Sequence, residues 1–349
     1  MRDPIGAAIV GAGAISTVHA ESLAKLNGVH LKLIVDIDPV RAAQAAEKYH
    51  CEAASDFQTL LNREDIQVVH LCTPHHLHAG MAIDLLRSGK HVLTEKPMAH
   101  HLHAAEALLR EASQSPAQLG ITFQNRYNAS SRAIREMIDK GTLGRLLGLK
   151  GIVTWSREPS YYTSSPWRGS WATEGGGVLI NQAIHTLDLL QWFGGEVASI
   201  EGSATTDALG DTIEVEDTAH AHIRFTNGAR GLFYATNAYV SNSPVELELV
   251  FEQGVLRQRN DCLHLVQHGS ETLLCEPPAT LDEQGLITGK SYWGISHQLL
   301  IEDFYDHVRS GTRFPVHAEE GIKTMRLITD LYASSQAQAD RMSSRPIYS

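Results

Sequence analysis

Short apolar runs alternate with longer amphipathic segments from residue 7 to residue 124. The run at 7–10 leads into a glycine-rich turn and a helix. The run at 31–35 leads into Asp38-Pro39, where Asp can cap a helix and Pro can fill its first turn. The same pattern predicts strands at 68–72, 91–94 and 119–124 and helices at 76–88 and 102–113. Strand and helix alternation of this kind predicts a doubly wound, mostly parallel sheet of the Rossmann type.

The pattern changes after residue 122. A helix at 131–140 ends at Gly141, and strands at 218–225 and 229–238 flank Asn227-Gly228, a strong hairpin signal. Further strands are expected at 197–206, 245–252, 254–259, 262–268 and 271–275, and helices at 296–310 and 318–335. The chain is therefore predicted to have a Rossmann domain at 1–122 and a second α/β domain at 123–349. The fold class is α/β plus α+β, with a mostly antiparallel, open C-terminal sheet that has helices on one face.

Composition narrows the possible partners. The 349 residues carry a formal charge of −11, and this acidic balance excludes a partner bound through its phosphate backbone, such as a nucleic acid. No apolar run approaches the roughly 18 residues that span a membrane, and the N-terminus lacks a signal-peptide pattern. The cysteines at 51, 72, 262 and 275 form no Cys-x-x-Cys pair and are expected to be thiols in a reducing compartment. These features predict a cytoplasmic protein.

The turn after the first strand has the pattern of a dinucleotide-binding loop. Gly11-Ala12-Gly13-Ala14-Ile15 follows an apolar strand and opens a helix, so its glycines permit a tight turn and close approach to a pyrophosphate. Asp36, at the end of the second strand, is placed to accept hydrogen bonds from an adenosine ribose. Its charge would repel a 2′-phosphate, so NAD is favoured over NADP.

Further motifs occur in a fixed order along the chain. They are the Gly11 to His19 spacing, Thr73-Pro74-His75-His76-Leu77-His78, Gly89-Lys90-His91-Val92, Glu95-Lys96-Pro97, Trp167-Arg168 and the stretch from Gly175-Gly176-Gly177 to His185-Thr186-Leu187-Asp188. Together they resemble the glucose-fructose oxidoreductase, inositol dehydrogenase and MocA family of NAD(P)-dependent oxidoreductases over nearly the whole chain. The resemblance implies an N-terminal NAD(P)-binding domain and a C-terminal domain for substrate binding and oligomerisation.

The resemblance assigns catalysis to Lys96, His185 and Asn181. In this family the lysine of Glu-Lys-Pro lies beside the nicotinamide and the substrate hydroxyl, and a cis bond before Pro97 is expected to shape that turn. An ammonium group stabilises a developing alkoxide, and His185 takes the hydroxyl proton as a general base. Many members have aspartate where this chain has Asn181, which can hold a sugar hydroxyl but cannot act as a base. Asn181 and His185 are expected one turn apart on a helix.

The resemblance also implies binding contacts. A structural role is an equal alternative for Thr73, Pro74, His75, His78, Gln124, Arg126, Trp167, Arg168 and Tyr292. Cofactor contacts are expected from Thr73, Pro74, His75, His78, Glu95, Lys96, Gln124, Trp167 and Arg168. Substrate contacts are expected from Lys96, Arg126, Trp167, Arg168, Asn181, His185 and Tyr292. The His-His-Leu-His runs at 75–78 and 100–103 lack a carboxylate or thiol at fixed spacing, so no metal site is expected.

The sequence thus predicts an NAD-preferring dehydrogenase or reductase. It would move a hydride between nicotinamide C4 and a ring carbon of a sugar, a cyclitol or a sugar derivative, and it would form a homodimer or homotetramer. Three alternatives stay open: a nucleotide-linked sugar acid 3-dehydrogenase, an anhydro-sugar reductase, and an NAD-sensing regulatory protein without catalysis. The exact substrate, its stereochemistry and the direction of the reaction are left open.

Overall fold

The computed structural model describes residues 4–259, 261–276 and 295–343. The chain divides into two compact units, residues 1–127 with 279–322 and residues 128–278 with 323–349. This division differs from a single boundary at residue 122 because a later segment returns to the first unit. In that segment α8 (Ile295–Ser310) packs against α1 (Ala14–Leu23), and sequence periodicity carries no information about such a long-range contact.

The first unit contains a parallel sheet. Its strands are β1 (Ile5–Val10), β2 (Val29–Val35), β3 (Glu52–Ala54), β4 (Val68–Leu71), β5 (His91–Thr94) and β6 (Leu119–Ile121). Among the described residues the spatial order is β3-β2-β1-β4-β5-β6, which confirms the doubly wound prediction. The strand order reverses between β1 and β4, and ligands of such sheets bind outside the carboxyl ends of the strands at that point.

Helices and short turns connect these strands. They are α1, α2 (Pro39–Tyr49), α3 (His75–Arg87), α4 (Leu102–Gln114), and 3-10 turns at Phe57–Leu60 and Gln124–Tyr127. Helix α2 begins where the sequence predicts, because the Asp38 side chain accepts hydrogen bonds from the backbone N–H groups of Val40 and Arg41. A last helix, α9 (Ala318–Ser343), begins in the first unit and continues in the second.

The second unit contains a larger sheet. Its strands are β7 (Leu146–Thr154), β8 (Val197–Thr205), β9 (Thr218–Phe225), β10 (Arg230–Thr236), β11 (Glu246–Phe251), β12 (Gly254–Arg259), β13 (Cys262–Gln267) and β14 (Ser270–Cys275). Their order within the described residues is β14-β13-β12-β11-β7-β10-β9-β8, and each neighbouring pair is antiparallel except β7 with β10. The remaining helices are α5 (Ala129–Asp139), α6 (Pro159–Thr163) and α7 (Ile184–Gly194).

The two faces of this second sheet differ. On β10, Phe233 is fully buried, whereas its neighbours Leu232 and Tyr234 are 56% and 38% exposed. Helix α7 packs on the buried face so closely that a Cβ atom at Gly151 of β7 would lie 2.8 Å from the Thr186 side chain. The prediction of an open, mostly antiparallel sheet with helices on one face is therefore confirmed.

None of the helices in the described part of the chain combines the length and the apolar character that crossing a bilayer requires.

We expect Leu71→Ala to destabilise the first unit. Leu71 is fully buried in β4, near the middle of the sheet, and truncation would leave a cavity that costs about 2–5 kcal/mol of unfolding free energy. Val40→Ala is the matched control, since Val40 is 62% exposed. Urea unfolding should show a lower midpoint for Leu71→Ala alone; equal midpoints for both variants would contradict the described core.

Candidate functional site

The glycine turn after β1 has the shape that a dinucleotide needs. Gly11 has a φ angle of 92°, and a Cβ atom there would lie 2.5 Å from the Cys72 carbonyl oxygen, so this position requires glycine. A Cβ atom at Gly13 would have no neighbour within 4 Å. Gly13 caps α1 without a side-chain hydrogen bond, which leaves the first turn of the helix open to an anionic group. These residues fit a pyrophosphate.

Asp36 directly follows β2 and joins the glycine turn. Its carboxylate accepts hydrogen bonds from the backbone N–H groups of Ala12 and Asp38, at 2.8 and 2.9 Å. The Arg41 guanidinium lies 3.6 Å from the same carboxylate. An ionised carboxylate has about four acceptor positions, so Asp36 can also accept from ribose hydroxyls.

The end of β4 is connected to the turn that contains Lys96. The two ring nitrogens of His78 each lie 2.7 Å from a carbonyl oxygen, one of Thr73 and one of Pro97. Burial lowers the pKa of His78, although both carbonyl groups favour its protonated form. The Lys96–Pro97 peptide bond is cis, as the sequence analysis expects. His78 therefore fixes two neighbouring strand ends to each other.

A buried polar network holds Glu95. His19 Nε2 lies 3.1 Å and His297 Nε2 3.6 Å from Glu95 Oε1. Burial alone would raise the pKa of Glu95, but the two imidazoles hold it well below its ordinary value. His70 extends the network, with its ring nitrogens 2.8 Å from His19 Nδ1 and 3.0 Å from the Tyr305 hydroxyl. Sequence reasoning assigned Glu95 to the site but missed His70, His297 and Tyr305.

Two other residues predicted for the site lie in the 3-10 turn after β6. Gln124 and Arg126 are 5% and 4% exposed. Arg126 forms an ion pair of 3.0 Å with Glu320, and its guanidinium carbon lies 5.9 Å from the centre of the Phe123 ring. These contacts hold the Arg126 side chain in place within the first unit.

In the second unit, Asn181 and His185 lie on different local structures. Helix α7 begins at Ile184, so His185 is its second residue and Asn181 lies in the preceding turn. The expectation that both occupy one helix is therefore wrong. The reason is that the Glu216 carboxylate accepts the backbone N–H groups of Gly177 and Leu179, each at 2.9 Å, and holds this segment as a turn.

Asn181 is oriented by two residues that sequence reasoning missed. Its side-chain NH₂ donates to the Glu174 carboxylate and, at 3.3 Å, to the Tyr161 hydroxyl. Glu174 is 1% exposed and also accepts the backbone N–H of Gly169 at 2.6 Å. No spacing signal marks Glu174 or Tyr161, because both contacts are made across turns rather than along one element.

The other predicted contacts of this unit cluster around Arg168. Its guanidinium carbon lies 4.1 Å from the centre of the Tyr161 ring and 5.2 Å from that of Trp167. Tyr292, expected to contact substrate, lies outside the described residues.

The histidine-rich runs bring several imidazoles near each other. His100 lies with its ring centre 4.1 Å from that of His101 and 6.3 Å from that of His76. Burial, and then the neighbouring rings of His101, His76 and His78, lower the pKa of His100 to about 4. Across the described ranges, no three His, Cys, Asp or Glu side chains are arranged to hold a metal ion.

Comparison with known proteins gives matches over both units. Residues 5–123 match the model described as "Oxidoreductase family, NAD-binding Rossmann fold", and residues 131–257 match the "GFO/IDH/MocA C-terminal domain". The chain is 29% identical to the levoglucosan dehydrogenase of Pseudarthrobacter phenanthrenivorans, over 64% of this chain and 63% of that protein. It is 26% identical to the myo-inositol 2-dehydrogenase of Thermotoga maritima, over 70% and 72% of the two chains.

A solved structure agrees over almost the full length. The WlbA dehydrogenase from Bordetella pertussis, in complex with NADH and UDP-GlcNAcA, superimposes with a TM-score of 0.85 at 27% identity, and 97% of each chain is covered.

We expect Glu216→Gln to change the pH dependence of stability. Burial is the main cause that raises the pKa of Glu216 from 4.5 to about 7, so the folded protein keeps a proton that the unfolded chain releases. The unfolding free energy of the wild type should therefore fall as pH rises through this window, by up to about 1.4 kcal/mol per pH unit. The variant lacks this titration, so its unfolding free energy should rise relative to that of the wild type as pH rises through this window.

Urea unfolding across a pH series measures this difference. Glu214→Gln is the control, because Glu214 is exposed and lies two positions away. The same pH slope in all three proteins would show that Glu216 titrates in the folded state as it does in the unfolded chain.

Proposed function

Because the chain belongs to the glucose-fructose oxidoreductase, inositol dehydrogenase and MocA family of oxidoreductases, we propose that it catalyses hydride transfer between NAD and a ring carbon of a sugar, a cyclitol or a sugar derivative. Relatives along the chain include dehydrogenases named for levoglucosan and for myo-inositol. The aligned region spans 63% of the levoglucosan enzyme, so the substrate of this chain is a proposal of its own.

One observation in the first unit supports this function most strongly. Strands β1, β4 and β5 are neighbours in a parallel sheet, so their carboxyl ends lie side by side. The glycine turn follows β1, Thr73 follows β4, and Lys96 follows β5. A dinucleotide-binding turn and a lysine are therefore held at the same edge of the sheet, where such folds bind their ligands.

Residues 5–123 form an NAD-binding Rossmann domain. In our proposal Gly11 and Gly13 receive the pyrophosphate, Asp36 accepts the ribose hydroxyls, and the buried Thr73 hydroxyl, which has no partner among the described residues, offers a further contact. The remaining proposed cofactor contacts are Ala12, Ala14, Ile15, Pro74, His75, His78, Glu95, Lys96, Gln124, Trp167 and Arg168. Bound NAD supplies the hydride acceptor at nicotinamide C4.

The chain's own residues handle the hydroxyl group. When a substrate alcohol is oxidised, its carbon loses a hydride and its oxygen loses a proton, which leaves a carbonyl group. Lys96 stabilises the negative charge that develops on the oxygen, and His185 accepts the proton. Asn181, held by Glu174 and Tyr161, positions a substrate hydroxyl and moves no proton. In the reductive direction, protonated His185 donates the proton to the carbonyl oxygen, and Lys96 stabilises the negative charge that develops there.

The substrate alternatives differ in what is attached to the ring. The likeness to the WlbA complex with UDP-GlcNAcA favours a nucleotide-linked sugar acid as the second candidate. An anhydro-sugar is supported by the likeness to levoglucosan dehydrogenase. A regulatory protein that senses NAD without catalysis is the alternative from another class.

We also propose a cytoplasmic homodimer or homotetramer. The thiols of Cys51, Cys72, Cys262 and Cys275 are free, as in proteins of a reducing compartment. Leu232 and Tyr234, at alternate positions of β10, are exposed on the open face of the second sheet. A second copy of the chain could cover this face by isologous contact.

Lys96→Ala should lower kcat by about 10²- to 10³-fold, since it removes a donor aimed at the developing alkoxide. His185→Gln should lower kcat by about 10²- to 10⁴-fold. The assay is NAD reduction on a panel of inositols, aldoses, anhydro-sugars and UDP-sugars, with the exposed Lys32→Ala as control. Tight NAD binding without turnover of any compound by the wild type would favour the regulatory alternative, and full activity of Lys96→Ala would refute the assigned mechanism.

Sedimentation analysis tests the assembly. The wild type should sediment as a dimer or tetramer, and Leu232→Glu should shift it toward the monomer because a charge would be buried without a partner. Val240→Glu is the control, since Val240 is 90% exposed in a loop of the same unit. A monomeric wild type would contradict the proposal directly.

A further inference from the structure

Two arginines share one aromatic ring in the second unit. The guanidinium carbons of Arg168 and Arg157 lie 4.1 and 5.4 Å from the centre of the Tyr161 ring. Each also lies near a tryptophan, with Arg157 5.0 Å from the Trp155 ring centre and Arg168 5.2 Å from that of Trp167. Aromatic faces attract cations, so these rings fix the positions of both positive charges.

Both guanidinium groups keep donors for a ligand. Arg157 uses Nη1, which donates to the Ser156 carbonyl and the Asn242 side chain at 2.7 and 3.0 Å. Arg168 donates from Nη1 to the Tyr161 carbonyl at 3.2 Å, and its buried Nε has no acceptor within the described ranges. Neither arginine forms an ion pair with a described residue. A guanidinium carries five N–H donors, so most of them remain available.

One buried carboxylate, Glu174, acts on the same tyrosine together with the two arginines. It is 1% exposed, and its oxygens accept from Gly169 and Asn181. Two guanidinium groups and one carboxylate that is already engaged therefore act on the same ring, and positive charges held close together favour binding of an anion.

The ring also connects this pair to the proposed substrate residue. The Tyr161 hydroxyl accepts hydrogen bonds from the side-chain NH₂ groups of Asn181 and Gln182, at 3.3 and 3.1 Å. Tyr161 contacts the two arginines through its ring and Asn181 through its hydroxyl. An anion bound by Arg157 and Arg168 would thus be separated from Asn181 by about the length of the Tyr161 side chain.

We propose that Arg157 and Arg168 bind an oxyanion of the substrate, either the carboxylate of a sugar acid or the phosphate of a phosphorylated or nucleotide-linked sugar. Arginine suits this task because its planar fork matches both oxyanions and its hydrogen bonds to them are charge-assisted. The inference rests on the proposed function, since it names the class of substrate for the same dehydrogenase.

Matched substrates and variants test the inference. Wild type, Arg157→Gln, Arg157→Lys and Arg168→Gln are compared on pairs that each combine neutral D-glucose with one anionic form, which is D-glucuronate, D-glucose 6-phosphate or UDP-D-glucose. The wild type should prefer the anionic member of a pair. Both Gln variants should lose about 10- to 100-fold in kcat/KM for that member, and Arg157→Gln should leave the neutral member unchanged. Arg157→Lys keeps the positive charge but lacks the planar guanidinium fork, so its kcat/KM for the anionic member should lie between those of wild type and Arg157→Gln.

The two anion sources give different results. Selectivity for glucuronate identifies the carboxylate, and selectivity for glucose 6-phosphate identifies the phosphate. Arg145→Gln is the control, because Arg145 pairs with Glu252 on the surface of the same unit. Equal losses on anionic and neutral sugars, or a change in the KM for NAD alone, would overturn the inference and leave the proposed function intact.

A wild type that oxidises nothing is informative too, because the proposed function then fails by itself. Equilibrium binding of the same anions to the NADH complex replaces the kinetic assay in that case. Weaker binding to Arg157→Gln than to wild type supports the oxyanion site, whereas equal binding, or no binding to wild type, overturns it.

Discussion

The buried carboxylate of Glu95 is the constraint on which the candidate site of the first unit depends. An ionised group in the interior is costly unless it is paired, and here His19 and His297 supply the partners. His19 lies in α1, which begins at the glycine turn, and His297 lies in α8. Satisfying one charge therefore brings together the helix that begins at the glycine turn, a helix from late in the chain, and the backbone next to Lys96. Because Lys96 is the next residue after Glu95, these contacts anchor the backbone on one side of the lysine.

In the second unit, two buried carboxyl groups support the candidate residues. Glu216 holds the backbone of the turn before α7, and Glu174 holds the side chain of Asn181. Functional side chains on turns need such support, because a turn lacks the repeated hydrogen bonds that make helices and strands rigid. The geometry of Asn181 thus depends on Glu174, which lies seven positions before it in sequence.

Local signals predicted most of the fold, and long-range contacts account for the rest. Strand β9 has the bounds that its alternation and the following Asn227-Gly228 predict. Strand β7 was not located, because Gly148 and Gly151 interrupt its apolar pattern; the second glycine is there because α7 packs directly on it. In the candidate site, motif spacing selected Lys96 and the glycine turn as candidates. Motif spacing could not select Glu216, because its side chain accepts from the backbone of Gly177 and Leu179, which lie 39 and 37 positions earlier in sequence.

The position of Asp36 bears on the proposed choice of cofactor. Asp36 is 7% exposed and accepts a hydrogen bond from the Ala12 N–H, so its carboxylate cannot move away from the glycine turn without breaking that bond. A 2′-phosphate would place a charge of like sign beside it. Arg41 lies 3.6 Å from Asp36, but its side chain is 54% exposed and already pairs with Asp38, so water screens most of the compensation that it could offer. In the proposed cofactor site, Asp36 would therefore act through its fixed position as much as through its charge, and both would favour NAD over NADP.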